Sequence, residues 1–172
     1  MADALAQVAR IEGLGMIAIR ADLARAGDAI AEAAGLAIPE TTRIAGDGSR
    51  SLGWMSPDEL LLILPAPELA EAVAALEQAL AGEHALVADV SDARAVFDVT
   101  GPAAADVIAK LSPADLDALP ADGLRRSRAA QAAVAFWRID GGFRLIGFRS
   151  TAEYLGLILR NAALPGSRLA PR

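Results

Sequence analysis

The sequence predicts an α+β fold of two similar β-α-β-β-α lobes, each an antiparallel sheet with its helices on one face. Three observations lead there. Apolar segments of strand length alternate with alanine-rich segments of helical period. Two hairpin patterns, "SLGWM" into "ELLLIL" and "AAVAFWRI" into "FRLIGF", each run on into a helix pattern. The halves also keep register: Trp137 follows Trp54 by 83 residues, and the same offset sets Leu145 against Leu62 and Ile146 against Ile63. A unit used twice in this way reads as one domain over residues 1–172, with lobes at about 15–81 and 84–163.

In the first half, Gly15 precedes the strand "MIAIRADL". The segment 27–35 reads as a helix with Ala29, Ile30, Ala33 and Ala34 on one face and Gly35 as its stop. "TTRIA" is a short strand, and Gly46-Asp47-Gly48 a turn. The hairpin turns at Ser56-Pro57-Asp58, where proline suits a turn's first central position. Pro67 opens a helix through Leu80, with Glu68 and Glu71 placed to complement its dipole. Leu69, Val73, Leu76 and Leu80 form its buried stripe.

In the second half, "ALVADV" and "RAVFDVT" are strands, and Pro102 starts a helix with Val107, Ile108 and Leu111 inward. Ser112 and Asp115 read as the cap and reciprocal acid of a short helix. A loop through Pro120 and Gly123, carrying Arg125-Arg126-Ser127-Arg128, leads into "AAVAFWRI". Asp140-Gly141-Gly142 turns the chain into "FRLIGF". Ser150 to Glu153 reads as a capping box for a last helix, Thr151 to Ala163, whose inner face is Tyr154, Leu155, Ile158 and Leu159. Trp54 and Trp137 are expected in equivalent places at the rim of each lobe's core.

Composition narrows the function classes. Hydrophobic residues reach 54% but aromatics only 4%, so the core must be built from Leu, Ile, Val and Ala. A net charge of −6 argues against non-specific nucleic-acid binding, which depends on cations neutralising phosphates. With no cysteine there is no disulfide, thiolate metal site or cysteine nucleophile. His84 is the lone histidine and cannot make a histidine-based metal site by itself. Leu60 to Leu64 is the longest large-aliphatic run, too short to span a bilayer. The first fifteen residues are amphipathic, carry acids and have no continuous apolar leader core, so a cytoplasmic location is expected.

The candidate chemical motifs fail one by one. "GLGMIAI" precedes a strand, whereas a dinucleotide loop follows one, and "GDGSRSLG" lacks the Lys-Ser/Thr ending of a phosphate loop. Asp89, Ser91 and Asp92 sit at a strand junction without a basic partner, and turn hydrogen bonds explain them better than hydrolysis. The carboxylates lack calcium-loop spacing. The run Arg125-Arg126-Ser127-Arg128 suits a charged edge or a partner contact. No catalytic, cofactor-binding or metal-binding residue is expected in this chain.

Three segments carry a likeness: "LGWMSPDELLLILP", "DVSDARAVFDVTGPAAADVIAKLSPADL" and "AVAFWRIDGGFRLIGFRSTAEYLGLIL". Together, from about Gly15 to Ala163, the chain resembles the gamma subunit of heterotetrameric sarcosine oxidase. That family in turn resembles the folate-binding lobes of glycine-cleavage aminomethyltransferases. The shared "D-x-S…G-P-x-A" segment falls here on Asp89, Ser91, Gly101, Pro102 and Ala104. The resemblance implies an aminomethyltransferase-like fold and an accessory role in a complex that oxidatively demethylates sarcosine to glycine. There the one-carbon unit passes to tetrahydrofolate or leaves as formaldehyde. It implies alpha, beta and delta partner subunits, and FAD, FMN, NAD and tetrahydrofolate held by the complex rather than by this chain. No activity is expected of the chain alone. The chain departs from some relatives in having neither cysteine nor histidine in "LSPADLDALP", which weakens any metal or thiol role. The alternative is a stand-alone folate-binding or aminomethyltransferase-like protein. If the chain is a subunit, Arg94, Arg144, Arg149 and Tyr154 are the interface candidates, because arginine and tyrosine join apolar area to fixed hydrogen-bonding geometry.

Overall fold

The computed structural model describes residues 4–167. The chain runs β1 (Gln7–Ile11), β2 (Leu14–Arg20), α1 (Leu23–Ala34), β3 (Ile44–Gly46), β4 (Ser51–Ser56), β5 (Glu59–Pro65), α2 (Leu69–Ala79) and β6 (Leu86–Asp89). It continues through β7 (Arg94–Thr100), α3 (Ala104–Leu111), β8 (Leu124–Ala129), β9 (Ala132–Ile139), β10 (Gly142–Phe148) and α4 (Ala152–Ala162). One compact unit is Gly13–Asp92; the other joins the residues up to Glu12 to those from Ala93 onward.

Each unit holds a five-stranded sheet, ordered β3-β4-β5-β2-β6 in the first and β8-β9-β10-β7-β1 in the second. Every pairing is antiparallel. The two orders are the same once β2 is matched to β7, β3 to β8, β4 to β9, β5 to β10 and β6 to β1. The α+β class and antiparallel sheets expected from sequence are therefore present, with more strands per unit than the repeat pattern shows. β6 follows α2 along the chain. Its counterpart β1 comes from the opposite end of the sequence, tied in by the Leu5 amide donating to the Ala163 carbonyl (2.9 Å) and the Ala103 amide to the Leu5 carbonyl (3.3 Å).

Alternation on the central strands builds each core. In the first unit Ile17 and Ile19 of β2 and Leu60, Leu62 and Leu64 of β5 pack with Ile30 of α1 and Leu76 of α2. In the second unit Phe97 and Val99 of β7 and Phe143 and Leu145 of β10 pack with Val107 and Ile108 of α3 and Leu155 and Leu159 of α4. Asp22 caps α1 by accepting from the Ala24 amide, and Gly35 ends it in the left-handed conformation with φ 69°. Gly147 lets α4 sit down on the sheet: a Cβ there would lie 2.5 Å from the Leu155 side chain.

The tryptophan equivalence fails, and the cause is one extra residue. Both hairpins share register at the tip, where Ser56 faces Glu59 and Ile139 faces Gly142. A β-bulge between Trp54 and Ser56 then shifts β4 by one. Beyond it Leu52 faces Leu62 while Phe136 faces Leu145, so Trp54 corresponds to Arg138 and Trp137 to Gly53. Because side chains alternate, the shift sends the two rings to opposite faces. Trp54 packs partly buried against the helix-side core; Trp137 is buried on the other face, in phase with Ala135.

Other local expectations also change. Leu124–Ala129 is an edge strand where a loop was expected. No helix starts at Ser112; its hydroxyl accepts from the Ala114 amide, and Asp115 accepts from the Asp117 and Ala118 amides, making a side-chain turn instead. The capping box before α4 does not form: the Thr151 hydroxyl donates back to the Phe148 carbonyl across a 3-10 turn. Tyr154 lies on the outside of α4, not on its inner face. A 3-10 turn, Ala66–Glu68, precedes α2.

Leu62 and Leu145 occupy the same place in the two cores and are essentially fully buried. Each truncated to alanine is expected to lower stability by about 2–5 kcal/mol, the usual cost of a buried leucine with its cavity. Urea unfolding of Leu62→Ala and Leu145→Ala measures it, and a loss below about 1 kcal/mol at either site would contradict the assigned packing.

Candidate functional site

The junction between β6 and β7 is the most polar part of the shared motif. Val90 continues the β6 edge, its amide donating to the Met16 carbonyl at 2.8 Å. The Ser91 hydroxyl accepts from the Met16 amide (2.9 Å) and donates to Asp89 Oδ1 (2.5 Å), which also accepts from the Ser91 amide (2.9 Å). The hydroxyl's proton is thus engaged in a hydrogen bond to a carboxylate that the turn itself holds. These bonds close the strand end, as the sequence reading expects, and they do not activate a nucleophile.

The interface candidates separate into different roles. Arg144 faces Asp98 directly across β10 and β7. It makes a two-pronged ion pair, Nε to Oδ1 at 2.7 Å and a terminal nitrogen to Oδ2 at 2.8 Å. Hydrogen bonding to Asp98 holds the Arg144 guanidinium above its ordinary pKa, against an opposing effect of burial. Arg94 faces Phe148 across the same two strands, with its guanidinium 4.3 Å from the ring centre. Arg149 begins the exposed 3-10 turn ahead of α4, and Tyr154 is exposed on the first turn of α4. The structure therefore brings Arg94, Phe148 and Arg149 to the end of the β7–β10 pair, and leaves Arg144 within the sheet.

Two grooves complete the search for chemistry. One, of about 630 Å³, is lined by Thr100, Gly101, Pro102, Arg138, Gly142 and Phe143. Its charged group is committed: Arg138 donates to the Leu116 (2.7 Å) and Leu119 (3.2 Å) carbonyls and lies over Phe143. The other, of about 540 Å³, holds the pairs Arg20–Asp58 (2.7 Å) and Arg25–Glu83 (2.9 Å) beside His84. Ser56 and Arg20 hold the Asp58 carboxyl below its usual range through hydrogen bonds. Neither groove sets an acid, a base and a nucleophile within reach of one point. Among the described residues no three His, Asp or Glu side chains converge as metal ligands. Among the same residues no helix is long and apolar enough to cross a membrane.

Sequence reading passes over two structural cations, Arg138 and Lys110. Lys110 donates to the Ala162 carbonyl (2.6 Å) and the Ser167 hydroxyl (2.7 Å), closing the C-terminus of α4. Its signal was available: it is the sole lysine among fifteen arginines.

The model of the sarcosine oxidase, gamma subunit family matches residues 19–164. The chain belongs to that family. Among relatives, the sarcosine oxidase subunit gamma of Corynebacterium sp. (strain P-1) is 43% identical over 91 residues, 51% of this chain and 43% of the relative. That of Arthrobacter sp. is 39% identical over 129 residues, 71% of this chain and 62% of the relative. The matches thus span roughly half the length of these curated relatives. Among solved structures, a chain of the heterotetrameric sarcosine oxidase from Corynebacterium sp. U-96, in complex with pyrrole 2-carboxylate, superposes with a TM-score of 0.87. It is 28% identical, and the superposition covers 97% of this chain and 88% of that one. The glycine cleavage system aminomethyltransferase T from Bartonella henselae matches at TM-score 0.68 and 18% identity, over 90% of this chain and 45% of that one, a likeness of fold. The family resemblance read from the sequence holds, and with it the aminomethyltransferase-like fold.

Three substitutions test the roles that this geometry gives the side chains. Ser91→Ala leaves the Met16 amide without its acceptor and is expected to cost about 1–2 kcal/mol, the range for an unsatisfied, part-buried donor. Arg144→Ala, which strands Asp98 in a half-buried pair, is expected to cost about 1–3 kcal/mol, between the exposed and buried limits. Arg149→Ala, on the surface, stays within about 0.5 kcal/mol of the parent. Chemical denaturation of the three variants reads the order; an Arg144→Ala as stable as Arg149→Ala would return Arg144 to the surface candidates.

Proposed function

We propose that the chain is a non-catalytic accessory subunit of a heterotetrameric sarcosine oxidase acting in the cytoplasm. The observation that carries this reading is the superposition of 97% of the chain on one chain of such an enzyme. The complex oxidatively demethylates sarcosine to glycine, with the one-carbon unit passed to tetrahydrofolate or released as formaldehyde. FAD, FMN, NAD and tetrahydrofolate reside on the large subunits in this reading. The polar groups of this chain support it: Ser91, Arg138, Arg144 and Lys110 are all spent on closing the fold. Arg94, Arg149 and Tyr154 are the contributors we retain for contact with the larger subunits.

Co-expression tests the reading. A tagged copy of this chain is expected to capture the alpha, beta and delta subunits, and the captured complex to turn over sarcosine. The chain by itself is expected to show no flavin absorbance and no turnover. Failure of the parent chain to capture any subunit would overturn the proposal. Calorimetric binding of tetrahydrofolate by the isolated chain at micromolar affinity would favour the stand-alone folate-binding alternative.

A further inference from the structure

The two units carry opposite charge. Gly13–Asp92 holds thirteen acidic residues against four basic ones, a net −9, and the rest of the chain nine acidic against twelve basic, a net +3. The positive unit also holds most of the large apolar side chains that the described residues leave exposed. Three of them belong to α4 and the turn after it: Tyr154 at 39%, Leu157 at 56% and Leu164 at 52% exposure. At about 100° per residue Tyr154 and Leu157 fall, with Asn161, within an arc of about 60° on α4, and Leu164 lies in the turn beyond its end. That arc lies opposite Leu155 and Leu159, which seat the helix on its sheet.

The internal repeat supplies a control for this face. α2 buries Ala72, Leu76 and Leu80 as α4 buries Leu155, Leu159 and Ala163, again at an offset of 83 residues. At the same offset Tyr154, Leu157, Asn161 and Leu164 fall on Glu71, Ala74, Gln78 and Ala81. The scaffold position is the same and the folding requirement is the same. One copy is acidic, amide or small there, and the other aromatic and aliphatic. Folding therefore does not demand the apolar version.

We propose that the outward face of α4 is the docking surface for another subunit of the complex, one that presents an apolar centre inside an acidic rim. This rests on the subunit reading above. Charge selects the occupant. Two copies meeting face to face would bring one net-positive unit against another, whereas an acidic partner is drawn to it. Arg149 precedes the stripe in sequence, Arg160 falls within it, and Glu153 is the acid between the two arginines. Tyr154 and Leu157 supply the desolvated anchor that such interfaces centre on.

The test uses co-expressed alpha, beta and delta subunits and four variants of the tagged chain. Leu157→Asp and Tyr154→Asp are expected to lower capture at least about tenfold, as loss of an interface anchor does, with melting temperature essentially unmoved. Ala74→Asp, the matching position on α2, is expected to capture as the parent does. Capture by the parent is expected to slow as salt rises, because the attraction is screened. Leu157→Ser repeats the measurement without a new charge, so that a poorly folded aspartate variant does not decide it. If the parent chain is captured and the Leu157 variants are captured equally, this docking face is wrong while the subunit reading stands. If the parent chain is not captured, the subunit reading itself has failed. If the isolated parent sediments as a dimer that Leu157→Asp splits, the face belongs to a second copy and the proposed occupant is wrong.

Discussion

The register between the two central strands of each sheet is the constraint on which the rest depends. Ile17 opposite Leu62 and Phe97 opposite Leu145 set which residues look at the helices. Slipping either pair by one residue would turn every one of these side chains to the other face. The hydrophobic pattern cannot fix this for β5, because Leu61 and Ile63 are as apolar as Leu60, Leu62 and Leu64. What fixes it is the hairpin end, where Ser56 faces Glu59 and the Ser56 hydroxyl donates to Asp58. The Arg20–Asp58 pair then ties β2 to the same turn. On the far side of β2, the Ser91 hydroxyl and the Val90 amide bond to Met16 and complete the sheet. The Asp89–Ser91 turn is therefore a closure device. Its serine and aspartate are polar because strand ends expose backbone groups that must be satisfied.

The same logic explains why the edge strands differ in origin while the sheets agree in order. A five-stranded sheet of this order needs a strand beside β2 or β7. In the first unit the chain leaving α2 supplies it as β6. In the second the place is filled by β1, which precedes β2 in the sequence. The Leu5–Ala163 bond puts the end of α4 next to the beginning of β1, where a continuous chain would have run. The second unit is thus the first unit's topology with its cut moved, which keeps both β2 and β7 covered on both sides.

Legibility in the sequence followed the strength of the local physics. Strands with apolar runs and helices bounded by Gly35 or Pro102 could be read directly, since pattern and punctuation agreed, whereas the Asp22 cap and the first turn of α1 read as the end of the preceding strand. β8 could not: Arg125, Arg126 and Arg128 are charged, and its two buried residues, Leu124 and Ala129, lie on opposite faces. An edge strand needs only one ladder of partners, so it can fold with little apolar content. The tryptophan pairing was misread because a bulge leaves no mark in a one-dimensional offset: Met55 reads as one more apolar residue, not as a change of phase. The capping box before α4 has the right letters, but the 3-10 turn from Arg149 sends the Thr151 hydroxyl backward. For the candidate surface, Arg94, Arg149 and Tyr154 were legible as residue types. Arg144 was not separable from them, because its partner Asp98 is its neighbour across strands and 46 residues away in sequence.

Four polar side chains are occupied in closing the fold: Ser91 in a turn, Arg138 on two carbonyls, Arg144 on a carboxylate and Lys110 at a helix end. What folding does not account for is asymmetric. The repeat lets two helices in equivalent seats be compared, and they differ on the face that packing does not constrain. Charge differs in the same direction, concentrated as acid in one unit and as base in the other. A field of this kind orients an approaching partner before contact, and the apolar stripe then gives the short-range term that slows its departure. Steering and anchoring thus coincide on one unit.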